Sequence, residues 1–135
     1  MKKQGMVNHY ISEILAGMGH TDHMLLTDMG FPIPEGVKKV DLTVRRGEPK
    51  FFDVLEAILE EFQVEKVILA AEMPEASPEA HARIKELLPD VEYEYVPHWD
   101  LVDVAKTSKG VVRTGDLTPY CNMVLVSGVK GIFYD

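Results

Sequence analysis

A chain of 135 residues, 46% hydrophobic and 27% charged, has the length and composition of one globular domain that can bury a core without disulfide help. Its formal net charge of −8 excludes a nucleic-acid or anionic-membrane partner, which needs clustered Lys and Arg; the one basic cluster, Lys38, Lys39, Arg45 and Arg46, is diluted by acidic neighbours. The single cysteine, Cys121, excludes an intrachain disulfide, and with no apolar leader after Met1 and no run approaching the roughly 20 apolar residues of a membrane span, the expectation is a soluble cytoplasmic protein.

Apolar periodicity then alternates between helical and strand spacing. Asn8 is placed to cap a first helix with Ile11, Ile14, Leu15 and Met18 on one face, and Gly17 and Gly19 stop it. A short strand is predicted over 24–27, followed by a Pro- and Gly-rich loop over 28–36 at the strand's carboxyl end. Val40, Leu42 and Val44 alternate with polar residues, as in a half-buried strand. Pro49 marks a helix entry, and Phe51, Phe52, Leu55, Ile58, Leu59 and Phe62 follow at helical spacing. The apolar run at 66–71 predicts a buried strand, and 78–88 a surface helix with Ala80, Ile84, Leu87 and Leu88 facing inward. The alternation at 91–96 predicts a strand with Val91, Tyr93 and Tyr95 on one face, and 99–105 a short helix. Strands at 111–114 and 123–126 flank a loop over 115–121, and the tail at 132–134 is expected to add a last edge strand. Strand and helix alternate without repeat or linker, which predicts one α/β domain over 1–135, with helices covering a sheet.

Three clusters could carry chemistry. Gly19-His20-Thr21-Asp22-His23, followed by Asp28, is the densest, and His20 is its best general acid or base, because imidazole both gives and takes a proton near neutrality. A capping or surface histidine bonded to a carbonyl is the competing reading. A metal site from His20, Asp22 and His23 lacks the helical His pair of the metalloprotease motif and any supporting cysteine cluster. In the second cluster, Thr118-Pro119-Tyr120-Cys121-Asn122, a hydroxyl and an amide two residues apart in a strand would share a face and suit sugar hydroxyls, while Cys121 would point away as a small buried residue. A turn with a core tyrosine explains the same residues. The third is His98, between Pro97 and Trp99 at a strand end, where a site residue and a helix-entry residue are both open readings; Trp99 could stack on a sugar or simply pack. No phosphate-binding glycine loop and no nucleophile elbow is present, so nothing points to nucleotide use or an acyl-enzyme.

Gly19-His20-Thr21-Asp22 and Asp28-Met29-Gly30-Phe31-Pro32-Ile33-Pro34 resemble the signature of the D-ribose pyranase and fucose mutarotase family. Met1-Lys2-Lys3-Gln4-Gly5 with Asn8, Gln63 to Glu72, and Arg113 to Asn122 resemble it too, in order and in register along nearly the whole chain. The Gly-His-Thr-Asp form and the Gly-Phe-Pro-Ile-Pro loop look more like the ribose pyranase branch than the fucose branch.

The resemblance implies a small α/β fold, a mixed sheet with helices on both faces. It further implies assembly into rings, often a decamer of two pentamers, with active sites shared between neighbouring subunits. By position, His20 matches the family's catalytic histidine, Asp28 a substrate-binding aspartate and His98 a substrate-binding histidine. Tyr120 and Asn122 match the pair that holds the sugar. Cys121 stands where alanine is more usual, and 130–135 runs beyond the expected pattern. The implied reaction opens and recloses the ring of free D-ribose, exchanging β-pyranose and furanose, with His20 protonating the ring oxygen and Asp28 orienting His20 or holding a sugar hydroxyl. No carbon–hydrogen bond breaks, so no cofactor and no metal is expected. A fucose-type mutarotase, a non-catalytic sugar-binding module and a plain oligomeric scaffold are the rival readings.

Overall fold

The computed structural model describes all residues, 1–135. Its elements in chain order are α1 (His9–Ala16), β1 (His23–Thr27), β2 (Lys39–Asp41), α2 (Phe51–Leu59), β3 (Val64–Ala70), α3 (Met73–Ala76), α4 (Pro78–Leu87), β4 (Glu92–Val96), α5 (His98–Ala105), β5 (Val111–Arg113) and β6 (Met123–Ser127). The strands form one six-stranded sheet in the order β2-β5-β1-β6-β3-β4. β6 is antiparallel to both its neighbours, β1 and β3, and every other pairing is parallel. The sheet is therefore mixed, and five strands end at one edge while β6 begins there.

The apolar pattern explains which strands lie inside. Met24, Leu25, Leu26 and Thr27 in β1, and Met123, Val124 and Leu125 in β6, are all fully buried, so both faces of the sheet's centre are covered. The outer strands differ: only Val40 is buried in β2, and β4 has no buried residue. α2 contributes Phe51, Val54, Leu55 and Ile58 to the core, each burial stabilising the fold by about 1.5–3 kcal/mol. α1 is capped as expected: the Asn8 side chain accepts the N–H groups of Tyr10 and Ile11, both at 3.0 Å.

Local pattern fails in four places. The tail at 132–134 forms a turn closed by a single bridge between Lys130 and Tyr134 and adds no strand to the sheet; Phe133 is 80% exposed there. β2 stops at Asp41, because the Asp41 carboxylate accepts the Thr43 N–H at 3.0 Å and turns the chain, leaving Val44 on the surface. A short helix, α3, appears before α4. Tyr120 and Asn122 precede β6 rather than lying in it, so their side chains do not share a strand face.

Candidate functional site

The sheet's polarity sorts the chemistry-bearing residues into two groups. At one edge lie the segments after β1 (Asp28), β3 (Glu72), β4 (His98) and β5 (Thr114 to Asp116), together with Asn122 just before β6. Open α/β sheets bind ligands outside the carboxyl ends of their strands. A recess of about 300 Å³ opens at this edge, lined by Asp28, Phe31, His98 and the 116–119 segment, a size at the small end of small-molecule sites.

Asp28 is held from two sides. Its N–H donates to Asn122 Oδ1 at 2.9 Å, and Asn122 Nδ2 donates back to Asp28 Oδ2 at 3.2 Å. Asp28 Oδ1 accepts the Gly30 N–H at 3.0 Å, the Asx turn that sends the loop away from β1. Burial pushes the Asp28 carboxyl above the usual range, and the Asn122 amide and the Gly30 N–H offset this only in part. Asn122 is fully buried, with both ends of its amide spent on Asp28.

His98 opens α5, and its backbone N–H is shared by both oxygens of Glu72, each at 3.2 Å. Its ring stands edge-on to Tyr120 (centroids 5.3 Å, 80°) and to Phe31 (6.1 Å, 89°). The His98 Nδ1 atom is buried and has no hydrogen-bond partner in the chain. Such an atom is costly unless something else completes it. Tyr120 adopts φ +58°, in the left-handed region that a non-glycine residue seldom takes, and its ring is one-third exposed above His98. Trp99 is 71% exposed and lies outside the recess lining. Cys121 is fully buried, and burial raises its thiol far above the ordinary range, so it is an inert packing residue.

The 116–119 wall is tied in place. Asp116 accepts the Phe51 N–H and the Thr118 N–H, both at 2.8 Å. Burial pushes Asp116 up, but these bonds outweigh it and hold the carboxyl below its usual range. Ser77 Oγ donates to the Pro119 carbonyl at 2.6 Å. At Gly115 a Cβ would come within 2.2 Å of the Glu48 carbonyl oxygen, so only glycine lets these two backbones meet.

His20 belongs to the other group, at the edge where β1 begins. Its Nε2 lies 2.9 and 3.2 Å from the two Glu65 oxygens, and its side chain is 49% exposed. The path from Asp22 to Asp28 is six residues of mostly extended chain, about 20 Å at roughly 3.3 Å per residue. Asp28 therefore does not orient His20 within one chain. The residues of the metal reading also part company: Asp22 accepts the Gly19 N–H at 2.8 Å, while His23 Nε2 meets the Val104 carbonyl at 3.1 Å. No group of three His, Cys, Asp or Glu side chains is placed to hold a metal ion.

The structure thus brings together Asp28, His98, Tyr120 and Asn122 and leaves His20 apart. Glu65, Glu72 and Asp116 are the polar residues that sequence reasoning passed over. Asp116 carried a weak turn signal beside Gly115; Glu65 and Glu72 flank an apolar strand and read simply as its polar ends.

Known proteins resemble this chain along nearly its whole length. The chain is 50% identical over 133 residues to a D-ribose pyranase of Thermotoga petrophila, covering 96% of this chain and 98% of that protein. The solved structure of Bacillus subtilis RbsD complexed with D-ribose superimposes with a TM-score of 0.92 at 42% identity, covering 96% of this chain and 99% of that one. A fucose mutarotase from Streptococcus pneumoniae, solved with L-fucose, shares the fold alone, at TM-score 0.69 and 19% identity over 89% of this chain and 91% of that one. The profile of the RbsD / FucU transport protein family matches residues 1–130, and the chain belongs to that family.

Proposed function

We propose that this chain is a cofactor-independent isomerase that exchanges the β-pyranose and furanose forms of free D-ribose. The observation that carries this reading is the buried, unpartnered Nδ1 of His98 beside Asp28 in a recess at the carboxyl edge of the sheet. A sugar hydroxyl supplies the hydrogen bond that Nδ1 does not find in the chain. The D-ribose pyranase and the ribose-bound RbsD among its relatives favour ribose over fucose, since the fucose mutarotase matches only as a fold.

Ring opening needs one proton given and one taken. The C1–O5 bond of the pyranose breaks as the His20 imidazolium protonates O5, and the anomeric hydroxyl passes its proton to His98 Nδ1 as C1=O1 forms. Rotation about C1–C2 or a different attacking hydroxyl then allows reclosure. The O4 hydroxyl attacks C1 and returns its proton to His20, while O1 recovers a proton from His98. Acid–base help of this kind supplies about 10²- to 10⁴-fold. Asp28, with its raised affinity for a proton, holds a sugar hydroxyl, and Tyr120 covers the ring; Asn122 acts by fixing Asp28.

His20 and His98 meet only if a second copy brings its His20 to this recess, so the working enzyme is an oligomer with shared sites, in the ring assembly that the family resemblance implies. Apolar surface supports this: Val7, Tyr10, Trp99 and Leu117 are each more than half exposed in the single chain. No helix is long and apolar enough to cross a membrane, and the lone buried Cys121 suits work in the reducing cytoplasm.

Exchange NMR on D-ribose at equilibrium tests the proposal, with selective inversion of the anomeric signals. Faster pyranose–furanose exchange that is lost in His20→Ala is the expected result. Unchanged ribose exchange with faster fucose exchange would make the chain a mutarotase of another sugar. Binding without faster exchange would make it a sugar-binding module, and no response to any sugar a scaffold.

A further inference from the structure

We infer that Glu65 is a positioning residue for His20, which takes the Nε2–H and so leaves Nδ1 as the nitrogen that faces the sugar. The inference rests on the proposed role of His20 as the acid. Three independent features of the fold converge on this contact.

The first is the contact itself, with both carboxylate oxygens of Glu65 within 3.2 Å of Nε2. A carboxylate without a proton only accepts, so Nε2 is the donor. That fixes both the ring's orientation and its tautomer. In the neutral imidazole the proton stays on Nε2 and Nδ1 is the basic atom; in the imidazolium Nδ1–H is the proton to give. The second is a bulge. Val64 pairs with Ser127 and Lys66 with Val126, leaving Glu65 as the extra residue between them. A bulge re-aims the side chain it carries, and here it lifts Glu65 out of the strand's alternation toward His20. The third is Gly128, where a Cβ would sit 2.7 Å from Glu65 Cβ, so that a side chain at this position would push Glu65 off its line. A surface ion pair of no consequence needs neither a bulge nor a glycine to seat it.

The ring-opening step keeps its balance. Nδ1–H goes to the ring oxygen, the C1–O5 bond takes its electrons to that oxygen, and the positive charge lost from His20 leaves the Glu65 carboxylate bonded to a neutral Nε2–H. On reclosure Nδ1 takes back the proton of the attacking hydroxyl.

The test is a kcat and KM series by exchange NMR on D-ribose with Glu65→Ala, Glu65→Gln and His20→Ala, singly and with Glu65→Ala added to His20→Ala. Both side chains are part-exposed in the single chain, so circular dichroism should not change, and the assembly size of each variant is measured alongside so that a loss of rate is compared only between intact assemblies. The expected result is a kcat lower by about 10- to 100-fold in Glu65→Ala, with KM held within about twofold. Glu65→Gln should recover part of the loss, because its amide oxygen still accepts Nε2–H. Adding Glu65→Ala to His20→Ala should cost nothing further. Ring ¹⁵N spectra of the neutral form should show Nε2 protonated in the unsubstituted protein and a tautomer mixture in Glu65→Ala. Full kcat in Glu65→Ala, or an equal loss in both backgrounds, would overturn the inference while the acid role of His20 stands. Full activity in His20→Ala would instead overturn the underlying reading.

Discussion

At the carboxyl end of β1, Asp28 is locked by Asn122 and Gly30, under a wall fastened by Asp116 and Ser77. At the amino end of the same strand, His20 has one partner, Glu65, and half its surface in water. The first region is a prearranged recess in which Asp28 and Asn122 satisfy one another while the buried His98 Nδ1 is left without a partner; the second is an imidazole held by a single carboxylate at the protein's margin. The contrast teaches that the proposed sugar-holding groups and the proposed acid lie at opposite edges of the sheet, so that under the proposed function one chain has both halves of the chemistry but not one complete site.

The largest expected effect breaks this division directly. His20→Ala and His98→Ala should each lose most of the acceleration, about 10²- to 10⁴-fold. Unfolding the two inactive variants together and refolding them should return a sizeable fraction of the exchange rate, read by NMR on D-ribose, because some interfaces then pair an intact His20 with an intact His98. No recovery in mixed assemblies would overturn the shared site.

A second effect separates the regions by stability. Asn122→Ala leaves the half-buried Asp28 N–H and its Oδ2 without their partners and should cost about 1–3 kcal/mol in urea unfolding. His20→Ala removes an exposed pair and should cost no more than about 0.5 kcal/mol. Equal losses would mean that the amino edge is as integral to the fold as the recess. Gly115→Ala belongs with the first: its methyl would meet the Glu48 backbone, and overpacking of this kind costs about 1–3 kcal/mol.

The smallest effect concerns the support beneath the recess. Arg113 hydrogen-bonds Asp41 across β5 and β2 and also reaches the Met29 carbonyl at 3.4 Å. The Arg113 hydrogen bonds hold the Asp41 carboxyl down at about 2. Its folded value lies below that of an unfolded carboxylate, about 3.9. The stabilisation is therefore complete above about pH 4 and is lost as pH falls toward 2. Asp41→Asn should flatten the loss of the urea midpoint over that window while leaving the midpoint at pH 7 only slightly lower, the pair being partly exposed. An unchanged acid slope in the variant would remove Asp41 from that role.

Most of the layout was legible in the residues. β1, α4, β4, α5, β5 and β6 stand within a residue or two of their predicted places, and α2 starts where expected but ends three residues before Phe62, because buried runs and helical spacing are local signals that core burial reinforces. The 28–36 segment was legible as a loop for the same reason, through its Pro and Gly content. The misses share a cause. The tail's apolar residues looked like a strand, yet no sheet edge takes them up. The bulge at Glu65 exists only in the register of β3 against β6. Tyr120 and Asn122 looked like strand neighbours, but the turn at Tyr120 sends one over His98 and the other into Asp28.

By itself the sequence determined that the domain is α/β, that polar clusters interrupt it near residues 20–28, 98 and 118–122, and, through matching motifs, which family it belongs to. Periodicity, turn chemistry and motif spacing are written along the chain, so they need no knowledge of its folded path. Only the tertiary structure decided that Asp28, His98, Tyr120 and Asn122 converge while His20 stands at the far edge beside Glu65. Which end of a strand a residue occupies follows from its place in the chain. Which other segments meet it there follows from strand order and direction, which are set by pairing between segments far apart in sequence.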